Sequence, residues 1–119
     1  MNMIDQAQII SLSESIAQDF DPDRIILFGS QAYGEPSEGS DVDLLVIMPF
    51  EGKSRAKRLE IWDRLRPSFP VDILVRRPED TQRRYHEWDP LIREAIDHGK
   101  VLYERNSSLP LPGRIRRFG

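Results

Sequence analysis

"LFGSQAYGEPSEGSDVDLLVI", residues 27–47, joins two apolar runs through a polar segment that begins with Gly-Ser and ends with Asp-Val-Asp. It opens in the aliphatic run RIILF (24–28) and closes in DVDLLVIM (41–48), with a Gly/Ser/Pro-rich segment between them. Each aliphatic run has the length and β-branched content of a buried strand. The intervening residues are turn formers, so the reading is strand, loop, strand, with a helical turn after Ser30. Alternate strand residues share a face, which sends Asp41 and Asp43 to one side while Val42 and Leu44 enter the opposite layer. Two like charges that close raise the pKa of one group or weaken the strand end unless a positive charge compensates. A divalent cation does so: magnesium takes hard oxygen ligands and keeps coordination positions for phosphate oxygens. Two such ions about 4 Å apart can hold both the attacking and the leaving oxygen of a displacement.

The strand PVDILVRR (70–77) repeats the pattern of an acid followed by aliphatics. It places Asp72 at a matching depth as a third candidate ligand, with Val71 and Ile73 facing the core. At the end of the first strand, Gly29 lets the backbone approach an anion that exposed amides and the Ser30 hydroxyl can bind. The acids then hold metal against phosphate.

Outward from this centre, Ile9, Leu12, Ile16 and Phe20 recur at helical spacing over residues 4 to 19, and Asp21-Pro22 stops that helix. A second helix is expected over 53 to 66, with Leu59, Trp62 and Leu65 as its apolar face and Pro67 as its stop. Residues 78 to 88 read as a polar helix. Asp89 caps a further helix that starts at Pro90, buries Leu91, Ile92, Ala95 and Ile96, and ends at Gly99. KVLYE (100–104) is a last strand. Strands alternating with helices imply an α/β (α+β) layered domain over residues 1–104, built on a small mixed sheet flanked by helices. Residues 105–119 form a Pro/Arg-containing tail without periodicity, expected to be flexible unless a partner orders it.

The chain of 119 residues supports one core. Its formal net charge of −3 gives no general attraction to nucleic acid, so no direct nucleic-acid binding is expected. No apolar run approaches the ~20 residues a membrane span requires, and MNMIDQAQII lacks the basic start and apolar core of a secretory leader, so the cytoplasm is the expected location. With no cysteine, disulfides, thiol catalysis and cysteine-bound zinc are excluded.

Gly29-Ser30, ten residues, then Asp41-Val42-Asp43 resembles the GSx10DxD signature of the polymerase-beta-like nucleotidyltransferase superfamily. By average residue usage, four fixed residues at fixed spacing arise by chance in roughly one chain in a thousand of this length. Compact size and the later VDILV make residues 8 to 104 similar to the minimal nucleotidyltransferase (MNT) branch. The resemblance implies the nucleotidyltransferase fold, Mg²⁺ (two ions) on Asp41, Asp43 and Asp72, and nucleotide phosphate on Gly29 and Ser30. It also implies an antitoxin paired with an all-helical HEPN toxin, transferring AMP from ATP to a tyrosine hydroxyl of that toxin. One of the three carboxylates takes the proton, and the sequence does not choose among them.

Two other readings share the motif. A small-molecule nucleotidyltransferase of the antibiotic-modifying kind would need an acceptor pocket, which a homo-oligomer could build between chains. A non-catalytic antitoxin would silence its toxin by covering it. The remaining conspicuous residues read as structural. Tyr33 packs at the domain edge, Arg76 and Arg77 close a strand, and Lys53, Arg55, Lys57 and Arg58 form a wet helix face. His86 and His98 lack companions at ligand spacing, and Trp62 and Trp88 belong to core or interface.

Overall fold

A computed structural model describes residues 5–29, 32 and 42–105. The elements run α1 (Gln6–Phe20), β1 (Arg24–Phe28), β2 (Val42–Ile47), α2 (Ser54–Leu65), β3 (Val71–Arg76), α3 (Pro78–His86), α4 (Pro90–His98) and β4 (Lys100–Glu104). The four strands form one mixed sheet in the order β3-β2-β1-β4. β1 lies antiparallel to both β2 and β4, and β2 is parallel to β3 through the α2 crossover. This is the α/β arrangement with a small mixed sheet flanked by helices that the strand–helix alternation implies.

Local chemistry explains where the helices begin and end. Asp5 and Gln8 form a reciprocal capping box at the start of α1, and Asp21 ends it in the left-handed region with φ 50°, its N–H donating to Ala17 O. Asp89 caps α4 by accepting from the N–H groups of Leu91 (3.0 Å) and Ile92 (3.2 Å), with Pro90 at the first helical turn.

The sheet is covered on both faces, which is why β1 and β2 read as uninterrupted aliphatic runs. On one face Ile25, Leu27, Leu44, Val46, Ile73 and Val75 pack with Ile9, Leu12 and Ile16 of α1 and Ile61 of α2. On the other, Ile26, Phe28, Leu45 and Ile47 pack with Ile92 and Ala95 of α4.

Two expectations change. The buried face of α2 is Ile61 with Leu65 beside it, whereas Leu59 and Trp62 are 53% and 43% exposed. α2 lies against the edge strand β3 and α1, so its remaining apolar residues project past the sheet. Leu91 likewise stays on the outside of α4. Gly99 ends α4 as expected, its N–H donating to Ala95 O; its backbone is extended, with φ −77° and ψ 174°, and its missing side chain answers to crowding. A Cβ there would run into Ala95 O, Ile26 Cγ2 and Leu27 O, where α4 meets β1.

Candidate active site

Gly29, Asp43 and Asp72 come together at one end of the sheet on three adjacent strands. Phe28, the last residue of β1, pairs with Asp43 near the start of β2, and Asp43 pairs with Asp72 near the start of β3. Paired residues on neighbouring strands lie about 5 Å apart and share a face. Val42 and Ile73 are buried in the α1/α2 layer, so the two acids occupy the opposite face, as their alternation requires.

Gly29 adopts φ +81°, and an added Cβ would stand 2.5 Å from Asp43 Oδ2. The Asp43 carboxylate therefore fills the space a side chain at residue 29 would need. Ala32 N–H donates to Gly29 O at 3.0 Å, so the chain turns sharply on leaving β1. The Asp72 side chain is 64% exposed, with Arg58 Nη1 of α2 reaching its Oδ1 at 3.8 Å. Such an exposed pair is worth about 0–1 kcal/mol, so it balances the acid without holding it fast.

Asp41, Ser30 and Tyr33 lie outside the described residues, as do residues 106–119 of the tail. Among the described residues no three His, Asp or Glu groups form a metal-sized cluster, which leaves Asp43 and Asp72 as a pair. An oxygen-only donor pair, with a further Asp two residues before Asp43, fits a hard divalent cation such as magnesium.

The other conspicuous residues stand elsewhere. Arg77 stacks on the Phe50 ring at 4.3 Å and donates to Phe50 O and Gly52 O, tying down the β2–α2 connection. Arg76 donates through Nη1 to Ser54 Oγ (2.9 Å) and Val75 O (2.8 Å). His86 and His98 are on the surface. Trp88 is 71% exposed, and the Arg93 guanidinium lies between its ring (3.5 Å) and that of Tyr85 (3.7 Å). Trp62 is also outside the core. Sequence reasoning missed Arg58 as the partner of Asp72, because nothing local links α2 to β3.

The mixed sheet thus presents the neighbouring carboxylates of Asp43 and Asp72 beside a left-handed glycine bend at one end of its strands. The chain belongs to the family described as Polymerase beta, Nucleotidyltransferase, which matches residues 11–108. Two solved structures share the fold. A candidate nucleotidyltransferase of Sulfolobus solfataricus superposes with a TM-score of 0.60 at 19% identity, over 88% of this chain and 85% of that one. A toxin–antitoxin assembly with AMP-PNP superposes with a TM-score of 0.58 at 22% identity, over 87% and 76%. No curated protein matches the chain.

Among the described residues no helix is long and apolar enough to cross a membrane.

Proposed function

We propose that this nucleotidyltransferase is an MNT-type antitoxin that transfers AMP from ATP to a tyrosine hydroxyl of a HEPN toxin. The observation that carries the reading is the Asp43 carboxylate seated against the left-handed Gly29, with Asp72 in register on the next strand. The toxin–antitoxin assembly with AMP-PNP that shares this fold supports both the antitoxin role and an adenine nucleotide as donor.

Asp43 and Asp72, together with Asp41, would hold Mg²⁺, which when bound neutralises phosphate charge and eases deprotonation of the acceptor. The turn after β1 would receive the triphosphate: Gly29 permits the left-handed bend and makes way for the Asp43 carboxylate, and the Ser30 hydroxyl would donate to a phosphate oxygen. The acceptor oxygen attacks the α-phosphorus in line. The bond from that phosphorus to the oxygen bridging the β-phosphate breaks, and pyrophosphate carries away the electron pair. The acceptor's proton passes to one of the three carboxylates.

Incubating the protein with Mg²⁺, α-labelled ATP and the HEPN protein should transfer label to a tyrosine of that partner. Asp43→Ala should reduce transfer by at least about a hundredfold, the scale on which positioned electrostatic groups act. Labelling that survives the substitution refutes the site, and label arriving only on small alcohols refutes the protein acceptor.

A further inference from the structure

Along the outer edge of β3, away from β2, α2 and α3 bound a recess of about 480 Å³. Arg55 and Arg58 reach it from α2, Arg76 from β3 and Arg84 from α3, and the only carboxylate among its lining residues is Asp80. That carboxylate pairs directly with Arg83 at 3.2 Å and Arg77 at 3.5 Å, and acts on Arg76 only at longer range. Arg84 meets Asp89 through Nη1, but its buried Nε has no partner among the described residues. Arg76 spends Nη1 on two neutral oxygens, and Arg55 meets no carboxylate within 4 Å among the described residues. Burial first, then the neighbouring Arg84 cation, lower the Arg76 pKa, and the nearby Asp89 and Asp80 carboxylates oppose the shift without cancelling it. The recess is therefore built for an anion.

Its position says whose. Gly29, Asp43 and Asp72 follow one another across β1, β2 and β3. A nucleotide with its phosphates at the Gly29 bend leaves the β3 side for the acceptor. Arg58 spans the two places, lining the recess while its Nη1 stands 3.8 Å from Asp72. Beside Arg58 a notch of about 220 Å³ opens between Leu59, Trp62 and Val71. Arginines next to an exposed tryptophan are a composition enriched at protein-binding surfaces.

We propose that this recess docks an acidic segment of the acceptor protein and so positions its reacting hydroxyl, a reading that rests on protein-directed nucleotidyl transfer. Arg76 lies four residues beyond Asp72, about 13 Å along the strand. The acceptor's carboxylates then lie about four extended residues from the hydroxyl.

The test is fluorescence anisotropy, without nucleotide or metal, on a labelled peptide bearing four glutamates separated from a tyrosine by three residues. It should bind at least tenfold tighter than its glutamine counterpart and weaken with salt. Arg55→Glu, on the helix surface, should cost at least tenfold in affinity, and Arg76→Gln is the second variant. Thermal melts of both variants check folding. Equal binding of the glutamine peptide, or unchanged affinity in both variants, overturns the proposal. So does a single-stranded oligonucleotide of equal charge that displaces the peptide at lower concentration. A peptide that binds in this arginine-dependent way but accepts no label from ATP leaves the docking site standing and counts against the transfer reading alone.

Discussion

Replacing Gly29 with alanine separates backbone strain from carboxylate displacement, because the fold supplies its own control. Gly29 and Gly52 have almost the same backbone, φ +81° and +84°, but a Cβ on Gly52 would meet nothing within 4 Å. Placing an L-residue in that region costs about 1–2 kcal/mol at either position. At Gly29 the Cβ also meets Asp43 Oδ2 at 2.5 Å, and ordinary contact begins near 3.4 Å, so the carboxylate must retreat by about 0.9 Å. A misplacement of about 1 Å at a reacting centre costs on the order of a hundredfold in rate. Gly52→Ala should therefore lower the melting temperature by about 4–12 °C at ~1–2 kcal/mol and leave turnover intact. Gly29→Ala should lose a comparable amount of stability and about a hundredfold in kcat. Thermal unfolding and steady-state AMP transfer on both variants are the measurements. If Gly29→Ala transfers AMP at the parental rate, the seating of Asp43 against Gly29 has no catalytic meaning.

The α4 cap makes a pH-dependent case. Backbone donation from Ile92 first, then Arg84 and the Leu91 N–H, holds the Asp89 carboxyl below its ordinary value. A depressed folded pKa adds stability that is complete above the unfolded value of about 3.9 and is lost as pH falls through the folded one. Asp89→Ala should thus cost about 1–2 kcal/mol at pH 7, with the gap to the parent narrowing below about pH 4, as read by denaturant unfolding across pH. For α2, Ile61→Ala should cost about 2–5 kcal/mol by opening a cavity under the helix, whereas Leu59→Ala should cost under about 1 kcal/mol. Equal losses in chemical denaturation would mean that the helix faces the sheet differently.

What the sequence could disclose follows from how local each signal is. VDLLVI and VDILVR carry their acid at the same offset, so the Asp43–Asp72 pairing was readable once both strands were placed side by side. The capping of α4 was readable because Asp89 and Pro90 act on their own neighbours. The face of α2 was not, since an apolar residue's burial depends on what lies beneath it. β3 is an edge strand only by virtue of the sheet order, which no stretch of the chain encodes by itself. Gly99 was readable as the end of α4, but the reason glycine stands there was not: the contact with Ile26, far back in the chain, sets that requirement. The arginines of the β3 recess come from positions 55 to 84 on three elements and share no spacing that would group them.

Those arginines have a competing explanation in the ordinary needs of a sheet. An open edge strand invites pairing with another chain, and charged side chains along it are a common guard. That purpose accounts for Arg55, which is exposed and would repel an incoming strand. It does not require a guanidinium to be desolvated beside another, as Arg76 is beside Arg84, nor a buried Nε without a partner. A guard works best fully hydrated, where a charge costs nothing to keep. Holding partly desolvated cations next to each other costs stability; Asp89 offsets part of that cost at Arg84, and an entering anion would offset more. Since α2 and α3 hold these groups in place beside the strand that carries Asp72, an acidic segment that relieves them lies about 13 Å along that strand from the reacting carboxylates, within reach of a short extended peptide.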